Sequence, residues 1–163
     1  MRKIIVFTIA SIMLLGTLAN TAQAGTYYYV TGRNDGYSPR TRKLVHLYVR
    51  SYIYQYWSTS ERRTKFVVKD MWSRAIVVGG AFYVNAKNQI WYSPAWNPWW
   101  YYQWGGAYHD RDVTNDTGWI YGGHPDKTFY ANGTAKLRAQ FSISDGGAGW
   151  NPNSDYYLAP GKW

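Results

Sequence analysis

Between Trp91 and Trp104 the chain sets eight aromatic side chains in fourteen residues (Trp91, Tyr92, Trp96, Trp99, Trp100, Tyr101, Tyr102 and Trp104), interrupted by Pro94 and Pro98 and free of charge. Rings at this density suit binding rather than bond-making. Indole and phenol faces stack on the C–H faces of sugars, settle at the headgroup level of membranes and anchor protein interfaces. Asn97, Gln103 and the tyrosine hydroxyls are at hand for polar groups. A short, proline-broken segment has little means of hiding so much apolar surface in its own fold, so Trp96, Trp99, Trp100, Tyr101, Tyr102 and Trp104 are expected to face a ligand. The competing reading is a loop folded back as a lid over the core.

Residues able to do catalysis are sparse. His46, His109 and His124 are spread along the chain without the spacing of a zinc site, and there is neither a cysteine nor a Gly-x-Ser-x-Gly elbow. Glu61 is the one glutamate beside eight aspartates, so a glycosidase-type acid pair would fall to Asp110 and Asp112, with His109 next to them. Asp110, Asp112, Asn115 and Asp116, ahead of Gly118, offer oxygen ligands of the kind calcium takes, but the glycine falls late and no glutamate closes the loop. A solvated turn is the simpler reading of that cluster. No catalytic residue, metal ligand or cofactor is assigned, and the chain reads as a binding protein more than an enzyme.

Charge points the same way. The full chain carries +9, and +7 remains once Arg2 and Lys3 are set aside. Ten bases (Arg33, Arg40, Arg42, Lys43, Arg50, Arg62, Arg63, Lys65, Lys69 and Arg74) face only Asp35, Glu61 and Asp70 over the same stretch, which accounts for the whole excess. A one-sided excess favours an anionic partner, although a basic surface also serves plain solubility.

These side chains need a frame, and the frame reads as β. Arg2 and Lys3, an apolar run from Ile4 to about Ala19 and the Ala22-Gln23-Ala24 pattern predict a cleaved export signal over residues 1–24, bacterial in style, followed by one secreted domain over residues 25–163. The apolar run is too short for a spanning helix. In Leu44 to Trp57, Val45, Leu47, Val49, Ile53 and Trp57 fall on one face. His46, Tyr48, Arg50, Tyr52, Tyr54 and Tyr56 fall on the other, a tyrosine-lined surface on which Arg50, Tyr52 and Tyr54 join the candidate binding residues. Phe66 to Val68 and Ala75 to Val84 read as strands, the second bulged at Gly79-Gly80. Asn85 to Gln89 reads as a hairpin turn into Ile90-Trp91-Tyr92, and Asn132-Gly133 as a type I′ turn joining Thr128 to Ala131 with Thr134 to Ser144. In that last strand Ala135, Leu137, Ala139, Phe141 and Ile143 alternate with polar residues. Trp119 to Tyr121 and Tyr156 to Leu158 are short strands. Asp110 to Gly118, Gly122 to Asp126 and Asp145 to Ser154 are loops.

The expected fold is all-β, an antiparallel sandwich or a small closed barrel. Pro160 and Gly161 argue against an outer-membrane barrel. The expected function is a secreted, extracellular or periplasmic, non-enzymatic module that engages an anionic envelope polymer, a glycan or a membrane surface, with no nucleic acid as partner. A secreted antimicrobial acting on competitor envelopes is the second reading.

Overall fold

The computed structural model describes residues 24–144 and 149–158, the side chains of Ala81 and Val113 excepted. The expected signal lies outside the described residues except for Ala24, as do Pro160 and Gly161. Nine strands run through the described residues: β1 (Thr26–Tyr37), β2 (Leu44–Ser58), β3 (Arg63–Ser93), β4 (Tyr101–Gly105), β5 (His109–Asp116), β6 (Ile120–Gly123), β7 (Lys127–Tyr130), β8 (Thr134–Ser144) and β9 (Asn153–Leu158).

Every pairing is antiparallel, and β3 is the axis of all but two of them. Its first half pairs with β2 on one edge and with β7 and β6 on the other, while its second half pairs with β8 on one edge and with β5 and β4 on the other. The result is two antiparallel sheets that share one strand. The hydrogen-bonded path β1-β2-β3-β8-β9 does not close on itself, which removes the barrel from the two expected architectures. At the open seam Asn34 Nδ2 donates to the Asn153 carbonyl at 2.7 Å, but no ladder joins β1 to β9 among the described residues.

A strand of 31 residues survives in a small domain because it changes face twice. Asp70 lies opposite Tyr52, and Val68 lies opposite Ile53, so Lys69 is one residue too many. The bulge switches the parity: Phe66 and Val68 point inward before it, and Met71, Ala75 and Val77 after it. The second change falls at Gly79-Gly80, where the pairing with β5 skips from Ile76 to Ala81 and Gly79 adopts φ +84°. Beyond it Phe82, Val84, Ala86 and Ile90 are buried. The expected bulge is therefore present, but the expected turn at Asn85 to Gln89 is not. That stretch is the middle of a strand, with Asn88 wholly buried, because pairing on both edges by β8 and by β5 and β4 outweighs the turn preference of Asn and Lys.

Other local preferences were overridden in the same way. Val45, Leu47, Val49 and Ile53 fill the core as their alternation predicts, but Trp57 is 49% exposed because β2 runs past the end of the core there. Ala135, Leu137, Ala139, Phe141 and Ile143 are buried as expected. However, β7 pairs with residues 65–68 and β8 with residues 83–93, so Asn132-Gly133 joins two sheets rather than a hairpin. Neither residue has positive φ, which excludes the I′ turn. The expected loop at Asp110 to Gly118 is largely strand β5, recruited by the edge of β3. Strand β1 was not among the expected strands; it opens on the β-favouring run Thr26 to Thr31, and its second half, with Gly32, Asn34, Asp35 and Gly36, is held by pairing that runs along all twelve residues with β2.

Candidate functional site

The register of β1, β2 and β3 places one set of side chains on the outer face of the first sheet. Tyr27 stands opposite Tyr54, Tyr29 opposite Tyr52, Thr31 opposite Arg50 and Arg33 opposite Tyr48, while Arg50 also faces Trp72 across the other edge of β2. Tyr121 of β6 stands opposite Trp72. The rings form an unbroken chain. From Tyr56 to Tyr54 the centroids are 5.4 Å apart, from Tyr54 to Tyr27 4.5 Å, from Tyr27 to Tyr52 5.3 Å and from Tyr52 to Tyr29 4.7 Å. The chain goes on from Tyr29 to Trp72 at 6.1 Å and ends at Tyr121, 5.8 Å further. Cross-strand ring pairs of this kind stabilise a sheet. Stability does not require them to remain open, yet Tyr27, Tyr29 and Tyr121 are exposed.

Cations line this face, and most are already matched. Arg33 Nε donates to Asp35 Oδ1 at 2.7 Å, and His46 Nδ1 lies 2.8 Å from the same oxygen; together they hold the Asp35 carboxyl below its ordinary range. Lys65 meets Glu61, Lys69 meets Asp126, and Arg74 grips Asp116 with two nitrogens, each cation lowering the pKa of its carboxylate. Asp70 accepts from the Tyr121 hydroxyl at 2.9 Å and contacts His124 Nδ1 at 2.8 Å. Four of the ten bases counted in sequence are thus in close contact with a carboxylate. Arg50 differs. It has no ion pair among the described residues; its guanidinium lies 4.0 Å from the centroid of the Trp119 ring, and Nε makes a long bond of 3.4 Å to Thr31. Tyr29, Arg50, Trp72 and Trp119 enclose a depression of about 200 Å³.

The segment from Trp91 to Trp104 belongs to the second sheet and divides into three. Trp91 and Tyr102 meet edge to face at 5.1 Å, Trp100 meets Tyr157 at 6.0 Å, and the Lys136 ammonium sits over both Trp91 and Trp100, at 5.4 and 4.8 Å. Burial there, with Arg138 nearby, pushes the Lys136 pKa down against the pull of Asp155. Trp96 and Trp99 stand out at 81% and 73% exposure, on a loop braced by Asn97. The Asn97 carbonyl accepts from Ser93, its side-chain oxygen accepts from the Trp99 amide, and its Nδ2 donates to the Tyr101 hydroxyl. Trp104 stands apart from its neighbours and is partly buried. A register shift puts Tyr102 opposite Trp91 but Trp104 opposite the inward-facing Ile90, so Gln103 is the extra residue and Trp104 turns onto the core.

Of the expected binding residues, Arg50, Tyr52 and Tyr54 share the first face, Trp100 and Tyr102 pack on the second sheet, and Trp96, Trp99 and Tyr101 belong to the loop and its exit into β4. Sequence reasoning missed Tyr27, Tyr29, Trp72, Trp119 and Tyr121. The alternation of Trp119 with Tyr121 and of Tyr27 with Tyr29 was their only local signal. The acidic cluster does not converge: Asp116 is held by Arg74, while Asp110 takes a bond from Asn85 and faces Tyr83. Among the described residues no three His, Asp or Glu side chains gather as a metal site.

No protein-family model matches the chain, and no curated protein matches it. A solved structure from Bordetella pertussis, of a protein provisionally named ApaA, aligns over 86% of this chain and 98% of that one, with 9% identity and a TM-score of 0.27.

Proposed function

We propose that this protein is an exported, non-enzymatic binding module that engages an anionic or glycan-rich envelope surface through the outer face of its first sheet. One observation carries the reading: seven rings in unbroken contact, Tyr56 to Tyr121, lie on the outer face of the sheet with Tyr27, Tyr29 and Tyr121 exposed, beside a guanidinium with no counter-ion among the described residues. Aromatic faces take the C–H faces of sugar rings, and the tyrosine hydroxyls and Arg50 supply donors at their edges. Exposed apolar surface of this kind marks interaction sites in soluble proteins.

The test is a sedimentation assay on purified envelope polymers at low and high salt, with the mature domain and a Tyr27→Ala/Tyr29→Ala variant. Binding by the parent that the variant loses supports the reading. If the parent pellets with no polymer, or the variant with the same ones, the face is not the binding surface.

Trp96 and Trp99 favour a second reading, a secreted antimicrobial acting at competitor membranes, because a braced loop that holds two indoles in solvent matches the headgroup level of a bilayer. Dye leakage from vesicles and growth inhibition of indicator strains would support it. Intact vesicles and unaffected growth would remove it.

A further inference from the structure

We infer that the depression bounded by Tyr29, Arg50, Trp72 and Trp119 is a subsite for one carboxylate-bearing pyranose, with Arg50 taking the carboxylate. The inference rests on the binding function proposed above and narrows it to a ligand class.

The argument begins with the isolation of Arg50. A charged side chain in the middle of a half-covered sheet face ordinarily acquires a partner, as its neighbours here do. Arg33, Lys65, Lys69 and Arg74 each contact a carboxylate of the chain, but Arg50 contacts an indole. Trp119, its ring centroid 4.0 Å from the guanidinium carbon, and Thr31 restrain the group without neutralising it. Its fork of N–H donors is thereby oriented ahead of any ligand, which lowers the ordering cost of binding. A single free guanidinium matches a single negative charge and forms a two-pronged contact with a carboxylate.

The walls decide what carries that charge. Trp72 lies opposite Arg50 in the ladder, and the Tyr29 ring stands 6.1 Å from it at 49°, so two aromatic faces converge beside the cation. At about 200 Å³ the depression is smaller than the roughly 300–1,000 Å³ of drug-sized pockets, so it accepts one ring-sized unit of a longer chain. Rings of Tyr52, Tyr27 and Tyr54 continue from Tyr29 along the sheet, where flanking units would lie. A polyol-phosphate chain has the charge but no ring to stack.

The experiment compares three probes by titration of the intrinsic tryptophan fluorescence: polygalacturonate, the same polymer fully methyl-esterified, and glycerol-phosphate teichoic acid. The variants are Arg50→Gln, Arg50→Lys and Lys87→Gln, the last removing an equal charge from the other sheet. The expected result is that polygalacturonate binds at least tenfold more tightly than its ester. Arg50→Gln erases that preference, Arg50→Lys loses most of it because the planar fork is gone, and Lys87→Gln keeps it. Equal affinity for the acid and the ester, or equal losses in Arg50→Gln and Lys87→Gln, overturns the subsite and leaves the wider binding function standing. Tighter, Arg50-dependent binding of the teichoic acid overturns the carboxylate assignment. A parent protein that binds none of these three but pellets with other envelope polymers also overturns the subsite, whereas one that binds no polymer of any kind overturns the binding function itself.

Discussion

The side-chain amide of Asn88 donates to the backbone carbonyl of Trp72 at 3.2 Å, so two points sixteen positions apart on the same strand are bonded across the core. The two halves of β3 therefore face each other, and the backbone that carries Trp72 to the outer face is tied from behind by a residue of the opposite sheet. Asn88 is wholly buried, and its Oδ1 finds no partner among the described residues.

Replacing Asn88 with alanine removes that tie and leaves a small void. The expected cost is about 1–3 kcal/mol, read as a lower urea midpoint with an unchanged slope. Asn88→Asp should cost more, because it places a charge at a wholly buried position whose oxygen already lacks a hydrogen-bond partner among the described residues. An unshifted midpoint for both would show that the tie contributes nothing.

Gly32 marks the seam between β1 and β9, where an added Cβ would lie 2.4 Å from the Asp155 carbonyl oxygen. Gly32→Ala should therefore destabilise by about 1–3 kcal/mol through forced separation of the two edges. Gly36, on the same strand with open space around it, is the matched control. Equal effects of the two substitutions would show that the seam is not tightly packed.

Acid stability should depend on the ion pairs of the first face. Hydrogen bonding to Arg74 lowers the Asp116 pKa from its ordinary 3.8. A lowered folded value means that the contribution is complete above 3.8 and is lost as pH falls through the folded pKa. Urea midpoints measured downward from pH 5 should fall less steeply in Asp116→Asn than in the parent. The difference will be modest, since the pair is about one-third exposed and screened by solvent. Parallel curves would exclude the linkage.

At the alkaline end Tyr28 contributes. Burial, and then Tyr156, pushes its hydroxyl from 10.0 to about 12. The fold holds the neutral phenol, so its contribution is complete below pH 10 and declines as pH rises from there toward 12, while the unfolded chain ionises first. Tyr28→Phe should lose less stability than the parent between pH 10 and 12, as followed by circular dichroism. A steeper loss in the variant would contradict this assignment.

Iodide should reach Trp96 and Trp99 first, because they are the most exposed indoles of the aromatic segment. The double substitution Trp96→Phe/Trp99→Phe is expected to remove much of the quenchable fluorescence. Trp104→Phe should leave quenching intact and lower the urea midpoint instead. Strong quenching that survives the double substitution would place the accessible indoles elsewhere.

What could be read from residues alone was whatever depends on local pattern. Alternation identified the buried face of Thr134 to Ser144 and most of that of Leu44 to Trp57, because a period of two is a property of the strand itself. Glycine at Gly79-Gly80 announced a bulge for a similarly local reason. The ring density of Trp91 to Trp104 and the tyrosine face of β2 were equally plain in the chain.

Tertiary structure alone decided which surfaces those residues share. Pairing partners are non-local, so nothing near Asn85 to Gln89 or Asn132-Gly133 could reveal that β3 runs on through the first and that the second joins two sheets. A one-residue shift at Gln103 sent Trp104 inward while its neighbour Tyr102 stayed out. Charge followed the same rule. The count of bases from Arg33 to Arg74 was visible in sequence, and Asp35 and Glu61 lie near their partners in the chain, but Asp126 and Asp116 reach Lys69 and Arg74 from far along it, and only the folded register shows Arg50 without a carboxylate among the described residues, between Trp72 and Trp119.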